Sequence, residues 1–250
     1  MVSREDDADH IDWAVEWKLR AIAVPVAFAL ALVFHASPAG HALQRTFLTM
    51  IPHELGHAVT AWLSGHSAIP SLWRTAYFGT SVIVIVVVAA GNAALAWRGW
   101  TTRNNILLAA GLALGALQLT LTTSTAAAAE SAFTFGGDGG AMVIGTLLVL
   151  AFFAPPGSRL RFGGVRWGLL VIGAATVVDT FATWWTARTD RGAIPFGEIE
   201  GVGLSDPSKL QSYGWSVDQI VERYVLLGGG CILAIAGCTA WFVYTARRDA

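Results

Sequence analysis

The pentapeptide His53-Glu54-Leu55-Gly56-His57 has residue types and a spacing that could carry out chemistry. On a helix, two histidines four residues apart project from one face and can bind one Zn²⁺ through imidazole nitrogens at about 2.0–2.1 Å. A glutamate between them lies beside the metal, where it can take a proton from a zinc-activated water and pass it to a leaving amine. The pattern predicts metal-assisted hydrolysis, with His53 and His57 as ligands and Glu54 as the catalytic base and acid.

A catalytic zinc site also needs a third protein ligand and an open position for water. Asp138 is the predicted third ligand, because it is a lone carboxylate between glycines, which permit close approach, at the start of an apolar run. Glu130, Asp179 and Asp206 remain open as alternatives. Asp179 lies inside an apolar run, where a carboxylate is costly unless it is paired, whereas Asp206 can equally be interpreted as a helix cap.

The elements that position these residues are predicted to be membrane helices. The chain of 250 residues is 54% hydrophobic and only 13% charged, with a mean hydropathy of +0.56, whereas about 25% of residues are charged in a soluble domain. We predict an all-α, polytopic transmembrane helix bundle of six or seven spans, because runs of about 20 apolar residues match a hydrocarbon thickness of ~30 Å. The predicted spans are residues 19–36, 43–64, 78–99, 106–126, 140–155, 165–186 and 224–246.

The polar segments outside the spans define the predicted domain organisation. Residues 1–18 are acidic, unlike a secretory signal, and are interpreted as a retained polar tail. Residues 19–250 are expected to form one membrane-embedded domain. Within it, the polar loop 188–223 contains Gly and Pro and could cap a site, and its segment Ser205-Asp206-Pro207 is typical of a helix start. We expect an integral, multi-pass protein of a cell membrane.

Two motifs within this hydrophobic frame carry a family resemblance. His53-Glu54-Leu55-Gly56-His57-Ala58, followed much later by Gly137-Asp138-Gly139-Gly140, resembles the site-2 protease family of intramembrane zinc metalloproteases. The resemblance implies that His53, His57 and Asp138 hold the zinc ion and that Glu54 acts as the base. Ser205-Asp206 with the following Trp215 also resembles a shorter branch in which an aspartate follows late in the chain, which keeps Asp206 among the alternatives.

The leading functional hypothesis is a zinc-dependent metalloendopeptidase that cleaves a membrane-spanning or membrane-adjacent protein or peptide. A non-catalytic membrane scaffold or transport component is a second hypothesis. A membrane iron oxidase or desaturase is a third, and it is disfavoured because the six histidines contain only one close cluster. The net charge of −1 offers no basic surface for nucleic acid, so the expected partners are the lipid bilayer and the substrate, with the oligomeric state left open.

Overall fold

The computed structural model describes residues 13–199, 203–248 and 250, and helices make up most of this part of the chain. The helices are α1 (Trp13–His35), α2 (Pro38–Gln44), α3 (Met50–Leu63), α4 (Val82–Thr101), α5 (Asn105–Thr122), α6 (Ala126–Ala151), α7 (Val165–Thr186), α8 (Asp206–Ser212) and α9 (Val217–Arg248). The antiparallel hairpins pair β1 (His66–Pro70) with β2 (Thr75–Thr80), and β3 (Glu198–Ile199) with β4 (Gly203–Leu204). Short irregular helical segments are Arg45–Thr49, Arg159–Gly164 and Arg191–Ala193.

The predicted all-α membrane bundle is confirmed. Within the described residues, α1, α4, α5, α6, α9 and the segment 159–186 that contains α7 are long and apolar enough to cross a bilayer. Polar side chains mark where helices begin: the Ser81 hydroxyl accepts a hydrogen bond from the backbone of Val84 at the start of α4, and the Asn104 side chain does the same at the start of α5. The chain is therefore a multi-pass membrane protein.

The predicted second span, residues 43–64, is not one continuous helix. A π-helical turn at Arg45–Thr49 separates α2 from α3, and α3 has 14 residues, a length of about 21 Å. The helix changes where polar side chains turn towards α7: Gln44 donates to the Ala175 carbonyl at 2.8 Å, and Arg45 lies 3.3 Å from the Asp179 carboxylate. Hydropathy does not detect such a break, because both sides of it are apolar.

The prediction that Asp138 stands at the mouth of a short fifth span is wrong. Residue 138 lies in the middle of α6, a helix of 26 residues that begins at Ala126. Glycines favour a loop when local propensity alone is considered, but here they pack against another helix. Of the predicted polar tail, residues 1–12 lie outside the described residues and residues 13–18 form the first turns of α1.

The chain divides into two compact units. The first unit consists of Met1–Thr49, Met142–Arg191 and Glu222–Ala250, and the second of Met50–Ala141 and Gly192–Val221. Composition gives no signal of this division, because two of its boundaries fall inside α6 and α9 and a third lies between the π-helical turn and α3.

The first unit has an apolar core and a buried ion cluster. Its core residues are Val24, Val149, Phe152, Phe153, Leu170, Ala174, Val177 and Ile235. Glu16 on α1 is 4% exposed and is paired with Arg20 at 3.0 Å, with Arg166 at 2.9 Å and with Arg161. Burial of this carboxylate in a membrane helix is compatible with folding because three guanidinium groups compensate its charge.

Candidate metal centre

Helix α3 places both histidines of the pentapeptide and its glutamate in the interior of the second unit. His53, Glu54 and His57 are 7%, 5% and 6% exposed. The four-residue spacing brings the two imidazoles to one face of the helix, where their Nε2 atoms are 3.2 Å apart and their rings are nearly perpendicular. Three ionisable groups are thus concentrated at one buried position.

In each ring the hydrogen-bond partner of Nδ1 determines whether the facing nitrogen, Nε2, carries a hydrogen. His57 Nδ1 lies 2.7 Å from the Phe133 carbonyl oxygen, and His53 Nδ1 lies 2.9 Å from Asp138 Oδ1. A carbonyl or carboxylate oxygen only accepts, so each Nδ1 carries the hydrogen and the Nε2 of a neutral ring is a bare lone pair. The two Nε2 atoms that face each other are therefore both acceptors.

Asp206 adds a third acceptor to the same point. Its Oδ2 is 3.0 Å from His57 Nε2 and 3.3 Å from His53 Nε2. Ligands held at about 2.0–2.1 Å by a tetrahedral zinc ion are about 3.3–3.4 Å apart. The three atoms have nearly the separations of one face of that tetrahedron, and their mutual repulsion is relieved by a cation. This group of residues could hold a divalent metal ion.

The start of α8 holds Asp206 in place. Ser205 is the N-cap residue and Pro207 lies in the first turn, so the capping position suggested for Asp206 belongs to its neighbour. The second carboxylate oxygen, Oδ1, is 3.6 Å from Lys209 Nζ. Burial raises the pKa of the Asp206 carboxyl, but the positive charge of His57 and His53, when these rings are protonated, outweighs this effect and holds that pKa well below its ordinary value.

The other predicted acidic candidates lie elsewhere. Asp138 contacts His53 at Nδ1, the nitrogen that points away from the three facing acceptors, which is the position of a residue that orients a ligand. Glu130 is hydrogen-bonded to Tyr213. Asp179 lies in the first unit beside His35 and His41. Among the described residues, the carboxylate that meets both Nε2 atoms is that of Asp206.

Glycines on α3 and α6 bring the helix backbones into direct contact behind the histidines. A Cβ built on Gly56 would overlap the Gly136 carbonyl and lie 2.9 Å from the Gly137 carbonyl oxygen. A Cβ built on Gly137 would lie 2.5 Å from His57 Nε2 and 2.7 Å from His53 Cε1. Small residues four apart are typical of close helix packing in membranes, and here they leave room for the two imidazoles.

Substitution of Gly137 by alanine should disturb the centre, because the new methyl group must displace both rings from their facing position. We expect metal affinity to fall by at least about tenfold, because the loss of a group that only orients a metal ligand already lowers affinity by ~10–100-fold. The measurement is a zinc titration of the purified chain, with Gly115→Ala on α5 as the control, since a Cβ there meets open space. Equal affinities for the two variants would contradict this account of the glycine contact.

The β1–β2 hairpin positions Glu54 and adds an aromatic wall. Thr75 Oγ1 lies 2.7 Å from Glu54 Oε2 and 2.9 Å from its backbone carbonyl. Two residues further on, Tyr77 stacks on the Phe133 ring with centroids 4.7 Å apart. Burial, followed by the charges of Asp206 and Glu54, raises the pKa of Tyr77, so its phenol remains a hydrogen-bond donor. Sequence reasoning missed Thr75 and Tyr77, for which the two-residue spacing along a strand is a weak signal.

The assembled group contains the two imidazoles with facing lone pairs and the Asp206 carboxylate that completes their triangle. A second carboxylate, that of Glu54, lies on the same helix as the imidazoles and is hydrogen-bonded to Thr75. These residues offer the ligand atoms that transition-metal ions prefer, together with an adjacent group that can accept a proton. No protein-family model, curated protein or solved structure matches this chain.

Proposed function

We propose that this protein is a zinc-dependent, membrane-embedded peptidase of a cell membrane, with His53, His57 and Asp206 as the residues that would hold the ion. When bound there, zinc supplies a Lewis acid that activates water for attack on an amide carbonyl. The observation that carries the proposal is the closed triangle of three acceptor atoms, with edges of 3.0, 3.2 and 3.3 Å. Two corners of this triangle, His53 and His57, lie on the same helix as the buried carboxylate of Glu54, which follows His53 in sequence.

The surrounding residues have distinct tasks in this proposal. Glu54 accepts a proton from the attacking water and returns it to the leaving amine. Thr75 orients the Glu54 carboxylate through its hydroxyl. Asp138 and the Phe133 carbonyl fix the tautomers and orientations of the two imidazoles. In this assignment Asp138, the third ligand predicted from the sequence, is a positioning residue.

The proposed substrate is a polypeptide that spans or adjoins the membrane. The centre lies in a chain whose long helices are apolar enough to cross a bilayer, so such segments are the peptides that it can meet. A helical peptide bond is hydrogen-bonded and shielded, and therefore the substrate must unwind locally before its carbonyl can be attacked. Residues that break helices should make a segment a better substrate.

The experiment that tests this function combines metal content with a search for products. The detergent-purified chain is analysed by elemental mass spectrometry, and it is then reconstituted with solubilised membrane proteins in which new N-termini are counted. The proposal requires that the zinc content fall by one ion per chain with His53→Ala, and that the new N-termini be absent with Glu54→Gln. Iron in place of zinc would favour an oxidase. The same set of N-termini with wild type and with Glu54→Gln would favour a non-catalytic scaffold or transport component.

Thr75→Val should lower the cleavage rate while leaving zinc bound, because valine keeps the shape of threonine but cannot donate to Glu54. Loss of a hydrogen bond to a charged group costs about 1.5–3 kcal/mol, so we expect kcat to fall by about ten- to a hundredfold. Steady-state kinetics on one identified substrate provide the measurement, and KM should change little. Thr75→Ser should restore most of the rate, and a serine variant as slow as the valine variant would argue against the hydroxyl.

A further inference from the structure

A second cluster of two histidines and a carboxylate lies within the first unit and has no part in the proposed peptidase centre. His35 is the last residue of α1, and His41 lies on α2. Asp179 is on α7 and is fully buried, with 0% of its surface exposed. A carboxylate inside a membrane helix is costly unless another group compensates its charge, so its surroundings indicate what it does.

The nitrogen and oxygen atoms of this cluster converge on one point. Asp179 Oδ1 lies 3.0 Å from His41 Nε2 and 3.5 Å from His35 Nδ1, and each of the three residues places one possible ligand atom within 4.8 Å of those of the other two. The two imidazole rings are 4.5 Å apart at their centroids. The two distances from the carboxylate oxygen lie on either side of the separation of about 3.3–3.4 Å expected between ligands of a tetrahedral zinc ion.

Two of these converging atoms lack hydrogen bonds in spite of the short distances. In the part of the chain that the structure describes, Asp179 Oδ1 and His35 Nδ1 are both buried atoms without a hydrogen-bond partner. Buried polar atoms left in this state cost free energy, and native proteins rarely tolerate them. A cation at the point where their lone pairs meet would satisfy both atoms.

Arg45 occupies the other side of the same carboxylate. Its Nη1 lies 3.3 Å from Asp179 Oδ2, and Oδ1 is left to face the histidines. Asp206 is arranged in the same way in the second unit, with one oxygen towards two histidines and the other 3.6 Å from Lys209. Carboxylates that bind a metal are commonly held through their second oxygen by such a donor. The two units thus repeat one pattern of groups.

We propose that His35, His41 and Asp179 form a second transition-metal site. Two imidazole nitrogens and one carboxylate oxygen suit zinc or a similar first-row ion, whereas Mg²⁺ and Ca²⁺ prefer oxygen ligands alone. The His41 side chain is 45% exposed, so an ion can reach the site from the surface. The ion would join α1, α2 and α7, which is the role of a structural metal rather than of a second catalytic one.

The test is a count of zinc ions per chain in matched variants. The full-length protein in detergent is stripped of metal, dialysed against Zn²⁺ and analysed by elemental mass spectrometry. We expect wild type to bind two ions, and the double variants His35→Ala/His41→Ala and His53→Ala/His57→Ala to bind one each. His66→Ala is the control and should bind two, because His66 belongs to neither cluster.

A second measurement guards against misfolding of the double variant. Co²⁺ added to the His53→Ala/His57→Ala protein should give visible absorption bands, and a further His41→Ala change, at a half-exposed side chain, should abolish them. The proposal is overturned when His35→Ala/His41→Ala retains the wild-type metal count or when no bands arise. A wild-type protein that binds an ion at His35 and His41 but none at His53 and His57 would instead count against the proposed peptidase. The two failures are therefore distinguishable.

Discussion

Asp206→Ala is expected to remove the metal ion from the proposed peptidase centre, while Asp138→Asn should leave it bound more weakly. Asp206 closes the triangle with both Nε2 atoms, and alanine offers no replacement ligand. Asp138 contacts His53 at Nδ1, the nitrogen that faces away from the three acceptors, and asparagine still presents an oxygen acceptor there. We expect an affinity loss for Asp206→Ala larger than the ~10–100-fold that removal of a supporting partner costs.

Competition between each variant and a zinc-binding dye measures this difference. Asp190→Ala is the matched control, since its side chain is exposed on the same polar loop. The assignment of Asp206 would be reversed by the opposite ranking, in which the Asp138 variant loses the ion and the Asp206 variant keeps it. That outcome would restore the ligand set predicted from the sequence.

Glu54→Gln is expected to abolish cleavage without affecting metal content. Glutamine has the size of glutamate and retains an oxygen that can accept from Thr75, but it cannot take up the proton of the attacking water. Because general base catalysis contributes about 10²–10⁴-fold, kcat should fall by that factor. The measurement compares the initial cleavage rate and the zinc content of the same preparation.

Glu222→Gln provides the control for this experiment, because it makes the same change at an exposed position on α9. It should cleave at the wild-type rate. A Glu54→Gln protein with full zinc and full activity would exclude the proposed proton transfer, whereas loss of both zinc and activity would assign Glu54 to the metal instead.

The sequence predicts the helical membrane fold and the pairing of His53 with His57, because both depend on local spacing. Local spacing could not show that Asp206 is a better candidate for the third metal ligand than Asp138. Asp206 lies 149 residues from His57, and the choice between the two acids depends on which imidazole nitrogen each one faces. The glycines in Gly136–Gly140 predicted a helix boundary because their helix propensity is low. Their backbone contact with Gly56 is tertiary, so local sequence does not reveal it.

The clustering of His35, His41 and Asp179 was likewise beyond local prediction. Each residue alone is compatible with a simple position at or near the membrane surface or with a buried polar contact. Their meeting depends on the packing of α1 and α2 against α7. This packing is tertiary, so a local sequence pattern does not reveal it.

The order of the ligands along the chain has a consequence for biosynthesis. On the proposed ligand set, His53 and His57 leave the ribosome before α4 to α7 have been made, and Asp206 follows 149 residues after His57. At ~5–20 residues per second this interval is about 7–30 s. A nascent chain therefore carries only two of the three ligands while its central helices enter the membrane. On the proposed function, the centre would become able to cleave only after those helices are in place, and other newly inserted proteins would be protected from cleavage until then.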